Sequence, residues 1–294
     1  MPPEQFDPAS FDDWAYGAEW SATLRRGPEA ELRAWLDLAL ACCDAADAIA
    51  LRHFRHDLEI VTKPDTTFVT QVDRAIETLI RERVRDAFPH HGLVGEEHGE
   101  DGADAPVRWF IDPIDGTHNY IRSVPLFGTL IGVERDGEMQ VGVLSAPALR
   151  QRWFAWRGGG AWTAGGAGAD ADAPRRMRTS EIRTLGDAQV LHSSAHEIAR
   201  TGWAQGFPAL VDRAWRARGF GDFWGYALVA DGSAEAMIEV GVHAWDLAGP
   251  MVIVEESGGR LTDFGGRRSI AGASAVASNG LLHGEILAVL RGTW

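Results

Sequence analysis

Apolar residues recur at helical spacing from Glu31 to Phe54, at Leu32, Trp35, Leu36, Leu38, Ala39, Cys42, Cys43, Ala46 and Ile49, which predicts one long helix with a core-facing stripe. A second amphipathic helix is predicted over Asp73–Phe88, where Ile76, Leu79, Ile80 and Val84 share a face; the alternating stretch from Thr67 leads into it. From Leu126 to Ala155 the period shortens to that of strands, interrupted at Asp136-Gly137 and Ala146-Pro147, as in an antiparallel meander. Leu93-Val94-Gly95 and Trp109-Phe110-Ile111 are short apolar runs that each stop at acids. The second is expected to end as a strand at Asp112, because Pro113 has no N–H for a central ladder. Beyond residue 182, strands and helices alternate. Ala244–Glu256 has a helical pattern in which Pro250 is expected in or beside the first turn. Gly158–Pro174, rich in Gly, Ala and Asp, is a hairpin arm or loop. The organisation predicted is an N-terminal extension (1–28), an N-terminal α+β lobe (29–181) and a smaller C-terminal α/β lobe (182–294), with a site between the lobes.

Composition narrows the partners. The chain of 294 residues is 45% hydrophobic, ample for a large α/β core. A formal charge of −14 leaves no basic stripe to neutralise phosphates, so neither nucleic acid nor an anionic membrane is an expected partner. No apolar run approaches a membrane span, and Met1-Pro2-Pro3-Glu4-Gln5 lacks the basic start and apolar segment of a leader. Cys42 and Cys43, adjacent on a helix, are expected to be buried thiols, which places the chain in a reducing cytoplasm.

The chemistry gathers at the acids. Asp112-Pro113-Ile114-Asp115-Gly116-Thr117 follows a buried strand and would bring two carboxylates into one crevice, where they repel each other unless a cation intervenes. Hard oxygen ligands at that density suit Mg²⁺ better than a thiolate-seeking metal. Glu96 and Glu97 follow a second strand end, Asp246 heads the late helix, and Asp73 heads an earlier one. Each has an ordinary alternative: an Asx turn, a solvated surface pair, a helix N-cap. As a set of five, with the Glu96-Glu97 pair counted once, they point to a shared cation and a small phosphorylated substrate.

Gly-Glu-Glu at 95–97, Asp-Pro-Ile-Asp-Gly-Thr at 112–117 and Trp-Asp-Leu-Ala-Gly at 245–249, in that order, resemble the signatures of the inositol monophosphatase superfamily of Mg²⁺-dependent, lithium-sensitive phosphatases, over roughly residues 30–292. The resemblance implies the layered αβαβα sandwich of the inositol monophosphatase and fructose-1,6-bisphosphatase type. It also implies two or three Mg²⁺ held by Glu96, Asp112, the Ile114 carbonyl, Asp115 and Asp246, with Asp73 supporting a third, weaker ion. Thr117, with Asp73 and Glu96, would orient and activate the attacking water. Backbone amides of Gly116, Thr117 and His118, at an expected helix start, would hold the phosphate. His118 stands where Thr or Lys is usual, and Tyr120 where Phe is; the side chain of His118 is expected to turn away from the phosphate. Two ions about 3.5–4 Å apart can supply charge neutralisation, alignment and a made nucleophile together.

Within that superfamily, the stretch from Arg216 to Tyr226, with Gly221-Asp222-Phe223, resembles the bacterial histidinol-phosphate phosphatase branch, as do Ser145–Trp153 and Ala277–His283. Asp222 and Glu239 would give two anionic acceptors for the ammonium and imidazole of histidinol. The resemblance therefore implies histidinol-phosphate hydrolysis in histidine biosynthesis. An inositol-1-phosphatase of broad range and a non-catalytic regulatory protein with the same fold remain the alternatives. Relatives pair as homodimers, and twelve tryptophans exceed the usual need of one core.

Overall fold

The computed structural model describes residues 30–56, 58–62, 68–165, 174–203 and 205–293. The expected extension 1–28, Thr67 and positions 166–173 of the expected arm lie outside them. The elements run α1 (Ala30–His53), β1 (Ile60–Thr62), β2 (Phe68–Thr70), α2 (Gln71–Ala87), β3 (Gly92–Gly95), β4 (Gly99–Asp101), β5 (Val107–Asp115), α3 (Thr117–Ile121), β6 (Gly128–Arg135), β7 (Glu138–Ala146), β8 (Gln151–Trp156), β9 (Gly160–Ala164) and β10 (Arg175–Arg176). They continue with β11 (Gln189–His192), α4 (Ala195–Ile198), α5 (Gly206–Arg213), β12 (Arg216–Arg218), α6 (Asp222–Ala230), β13 (Ala236–Val240), α7 (Ala244–Glu256), β14 (Arg260–Thr262), β15 (Ser274–Ser278) and α8 (His283–Leu290).

Period-two alternation divides the first sheet between two layers. Its eight strands are ordered β10-β9-β8-β7-β6-β5-β3-β4, with β3 and β5 parallel. Trp109, Ile111, Ile131 and Val143 face the stripes of α1 and α2, whereas Phe110, Leu130, Leu144 and Trp153 face α6 and α7. The five-stranded sheet, β12-β11-β13-β15-β14, closes the far side of those helices through Leu191, Met237 and Ala277. Its other face, through Val190, Ile238 and Val276, packs on Phe207 and Leu210 of α5 and Ile286 and Val289 of α8. The result is the αβαβα sandwich. The β6–β7 hairpin turns at Asp136-Gly137, both at positive φ (53° and 82°), the geometry that a right-twisted two-residue hairpin requires.

Helix α7 lies almost backbone-to-backbone on the first sheet. Gly132 and Gly142, paired across β6 and β7, form a groove in which a Cβ would stand 2.4 Å from the Ala248 Cβ and 2.3 Å from the Gly249 oxygen, respectively. Pro250 is the seventh residue of this helix, in its second turn and not the first as expected. The ladder bond it removes would have run to the carbonyl of Asp246, and burial of every residue from Leu247 to Val254 offsets that loss.

Pro113 does not end its strand either. β5 continues to Asp115 through a bulge: Asp112 pairs with Leu130 and Asp115 with Gly128, so one extra residue is accommodated between them. A bulge leaves a residue unpaired, and the missing N–H is harmless there. Because Leu130 and Gly128 are two apart, Asp112 and Asp115 emerge on one face, which a regular strand would not allow for residues three apart. Helix α2 starts two residues earlier than expected, because Thr70 caps it: Thr70 Oγ1 accepts from the Val72 N–H (3.1 Å) and Asp73 Oδ2 from the Thr70 N–H (2.9 Å).

Candidate active site

The parallel strands β3 and β5 end side by side, and the Glu96 N–H donates to the Ile111 carbonyl (3.2 Å), so the turn after β3 is pinned beside Asp112. Asp246, third residue of α7, comes from across the sandwich. Its Oδ2 accepts from the His243 N–H (2.7 Å), so it does cap its helix, while its carboxylate joins those of Asp112 and Asp115, with ligand atoms within 4.8 Å of one another. Asp115 Oδ2 also accepts the Phe223 N–H (2.8 Å) at the start of α6. These groups border a cavity of about 590 Å³ between the two sheets, whose wall includes Glu96, Ile114, Gly116, Thr117 and His118. Glu96 faces that cavity from outside the tight trio; Asp73 stands behind it.

The trio could hold a metal ion. Burial first, then the charges of Glu96, Asp115, Asp246 and Asp73, push the Asp112 carboxyl far above the usual carboxylate range. Asp115 is raised in the same way, by burial, then by Asp222, Asp246 and Glu239. Asp112 Oδ1 and Asp73 Oδ1 are buried without a hydrogen-bond partner. Buried oxygens are rarely orphaned. Repelling carboxylates with unbonded lone pairs aimed into a cavity fit a bound cation, and hard oxygen donors fit a hard one.

Gly116, at φ 77°, turns the chain out of β5 into the short α3. Thr117 Oγ1 donates to the Ile114 carbonyl (2.9 Å), which leaves the hydroxyl lone pairs for another donor. His118 lines the cavity wall, its ring edge-on to that of Phe68 (5.1 Å). Asp222 begins α6 at φ 53°, a strained conformation for a non-glycine residue. It makes no side-chain cap, and its Oδ2 accepts from Asn119 Nδ2 (3.3 Å), whose amide also donates to the Leu126 carbonyl. Burial, then Asp246, raises Asp222 to about 6. Glu239 on β13 accepts the Tyr226 hydroxyl (2.5 Å) and is raised to about 8, by burial and then by Asp222.

Sequence reasoning did not single out Asn119, Tyr226 or Glu197, all at or beside this cavity, nor Glu77 behind it. Only Glu77 left a signal: a carboxylate on the apolar arc of α2, between Ile76 and Ile80.

Layering and site together define a phosphoric monoester hydrolase, and comparison with known proteins agrees. The chain belongs to the inositol monophosphatase family, whose sequence profile matches residues 31–293. It is 44% identical over 253 residues to a histidinol-phosphatase of Mycobacterium tuberculosis, covering 86% of this chain and 96% of that protein. It is 42% identical over 260 residues to a histidinol-phosphatase of Streptomyces coelicolor, covering 87% and 96%. Among solved structures, the Thermotoga maritima IMPase superposes with a TM-score of 0.77 at 28% identity, covering 88% of this chain and 97% of the other.

Proposed function

We propose that this hydrolase acts on L-histidinol phosphate, releasing L-histidinol and phosphate, with Mg²⁺ held by Glu96, Asp112, the Ile114 carbonyl, Asp115 and Asp246, and a further ion beside Asp73. When bound, Mg²⁺ supplies charge neutralisation at the phosphoryl oxygens and at the departing oxygen. The residues do the rest. Thr117, its hydroxyl proton committed to Ile114, accepts a hydrogen bond from the attacking water and aims that water's oxygen at phosphorus, and the proton the water gives up passes to solvent. The first N–H groups of α3, with Gly116, have no intrahelical partner and take phosphate oxygens. The new P–O bond forms as the bond to the histidinol oxygen breaks, and that oxygen leaves with a proton from solvent.

The observation carrying the substrate choice is Asp222, held in strained backbone beside the acid trio, where burial and then Asp246 raise its carboxyl and its own charge helps to raise Glu239. A cationic ligand entering there relieves that repulsion. Relatives called histidinol-phosphatases support the same reading. Metal-loaded phosphate release from a panel of esters tests it: kcat/KM for histidinol phosphate should exceed that for inositol 1-phosphate and glycerol 2-phosphate by tenfold or more. Equal values would return the assignment to a broad inositol-type phosphatase, and no release with Mg²⁺ would leave only a non-catalytic role. A cytoplasmic homodimer completes the proposal; sedimentation at about 32 kDa, the mass of one chain, would remove the dimer.

A further inference from the structure

Two carboxyl-bearing side chains of α2, Asp73 and Glu77, line its buried arc together with Arg81, and Glu77 has no place in the chemistry above. Glu77 is fully buried, yet its acceptors are saturated by a single turn of chain: Oε2 accepts the Glu97 N–H (2.6 Å), while Oε1 accepts the His98 N–H (3.2 Å) and Arg81 Nη1 (2.9 Å). Arg81 Nη1 donates onward to the Gly99 carbonyl (3.0 Å). The contact is close on the other side too, since a Cβ at Gly95 would fall 1.9 Å from Glu77 Oε1. Residues 95–99 are thus gripped by one helix face, and Glu96 lies inside the grip.

We infer that Glu77, backed by Arg81, is a positioning residue for metal binding: it fixes the turn that aims the Glu96 carboxylate at Asp112. The inference rests on Glu96 being a metal ligand, as proposed above. A turn such as Gly-Glu-Glu-His-Gly has little side-chain packing of its own, and a buried anion that collects two successive backbone N–H groups removes its freedom. Partners one shell out from metal ligands change metal affinity by about 10–100-fold when lost.

The test titrates the full chain, stripped of metal by chelation, with Mn²⁺ alone by calorimetry. Glu77→Gln should weaken Mn²⁺ binding by about 10–100-fold, because one of its two head-group atoms is a donor facing another donor. Val84→Ala, one turn and more along the same buried face, should lower the melting temperature while leaving Mn²⁺ affinity within twofold. If Glu77→Gln does not unfold cooperatively, Glu77→Asp, one methylene short of both amides, carries the test by the same criterion. Unchanged affinity in the Glu77 variant, or an equal loss in Val84→Ala, overturns the inference. Failure of the underlying reading looks different: Glu96→Gln would then bind Mn²⁺ as tightly as wild type.

Discussion

Replacing Gly142 by alanine tests whether helix–sheet contact sets the catalytic geometry. The added Cβ would lie 2.3 Å from the Gly249 oxygen and 3.0 Å from its carbonyl carbon, whereas ordinary contact begins at 3.4 Å. Neither side can yield by rotating a side chain, since Gly142 sits mid-sheet between Gly132 and Ala155 and the obstacle is helix backbone. Helix α7 must therefore retreat by about 1 Å, an overpacking worth about 3 kcal/mol at the upper end of the usual range. For a chain of this size that is a drop of roughly 5 °C in Tm. Asp246 is three residues from Gly249 and travels with it. A displacement of about 1 Å at a catalytic group can cost on the order of 10²-fold in rate. Differential scanning calorimetry and phosphate release at 25 °C with saturating Mg²⁺ read the two effects separately. A lowered Tm with kcat within twofold of wild type would refute the coupling of Asp246 to the groove, and an unchanged Tm would refute the tightness of the contact.

Asp112→Asn removes the charge at the centre of the trio and should reduce kcat by more than tenfold, a loss above about 1.4 kcal/mol, with the far-ultraviolet spectrum unchanged. Asp222→Asn should cost roughly 1.5–3 kcal/mol in kcat/KM for histidinol phosphate and little for glycerol 2-phosphate; equal losses on both esters would make Asp222 structural. Asp47→Ala removes the buried carboxylate that accepts from Arg152 at 2.6 Å, leaving Arg152 with Asp44 and Ser145, and should destabilise by about 1.5–3 kcal/mol in urea denaturation. His283, buried between Ser278 and Thr262, is held down to about 4 by burial and then by Arg260 and Arg291. A depressed folded pKa means stability that is complete above the unfolded value near 6.5 and lost as pH falls toward 4, by up to about 3 kcal/mol. The stability difference between wild type and His283→Gln should shrink over that window, and a constant difference would show that His283 does not titrate there.

The acids were legible because chemistry forced them into short motifs: Asp112, Asp115 and Asp246 each sit at the end of a clearly patterned element, and the structure brings all three together. What escaped was decided by distant contacts. Nothing near Pro113 signals that β6 tolerates an extra residue opposite it, and nothing near Pro250 signals that α7 is buried on two sides. Asn119 reaches Asp222 across 103 positions and Arg152 reaches Asp44 across 108, separations at which local spacing carries no information. The hydrophobic period likewise misplaced the start of α2, because a cap made by Thr70 and Asp73 sets the helix terminus before the first apolar repeat.

The bulge in β5 gives the site an unusual kind of inheritance. Its two aspartates share a face only because a strand contains one residue more than its neighbour, so the information resides in a count as well as in the side chains. A point substitution can remove a carboxylate and be reversed by another. Inserting a single residue opposite them in β6 removes the mismatch, restores the ordinary parity of the ladder, and turns one carboxylate toward α1 and α2. Grafting the hexapeptide Asp-Pro-Ile-Asp-Gly-Thr into a regular strand of another protein would fail for the same reason: the letters would transfer and the misregistration would not.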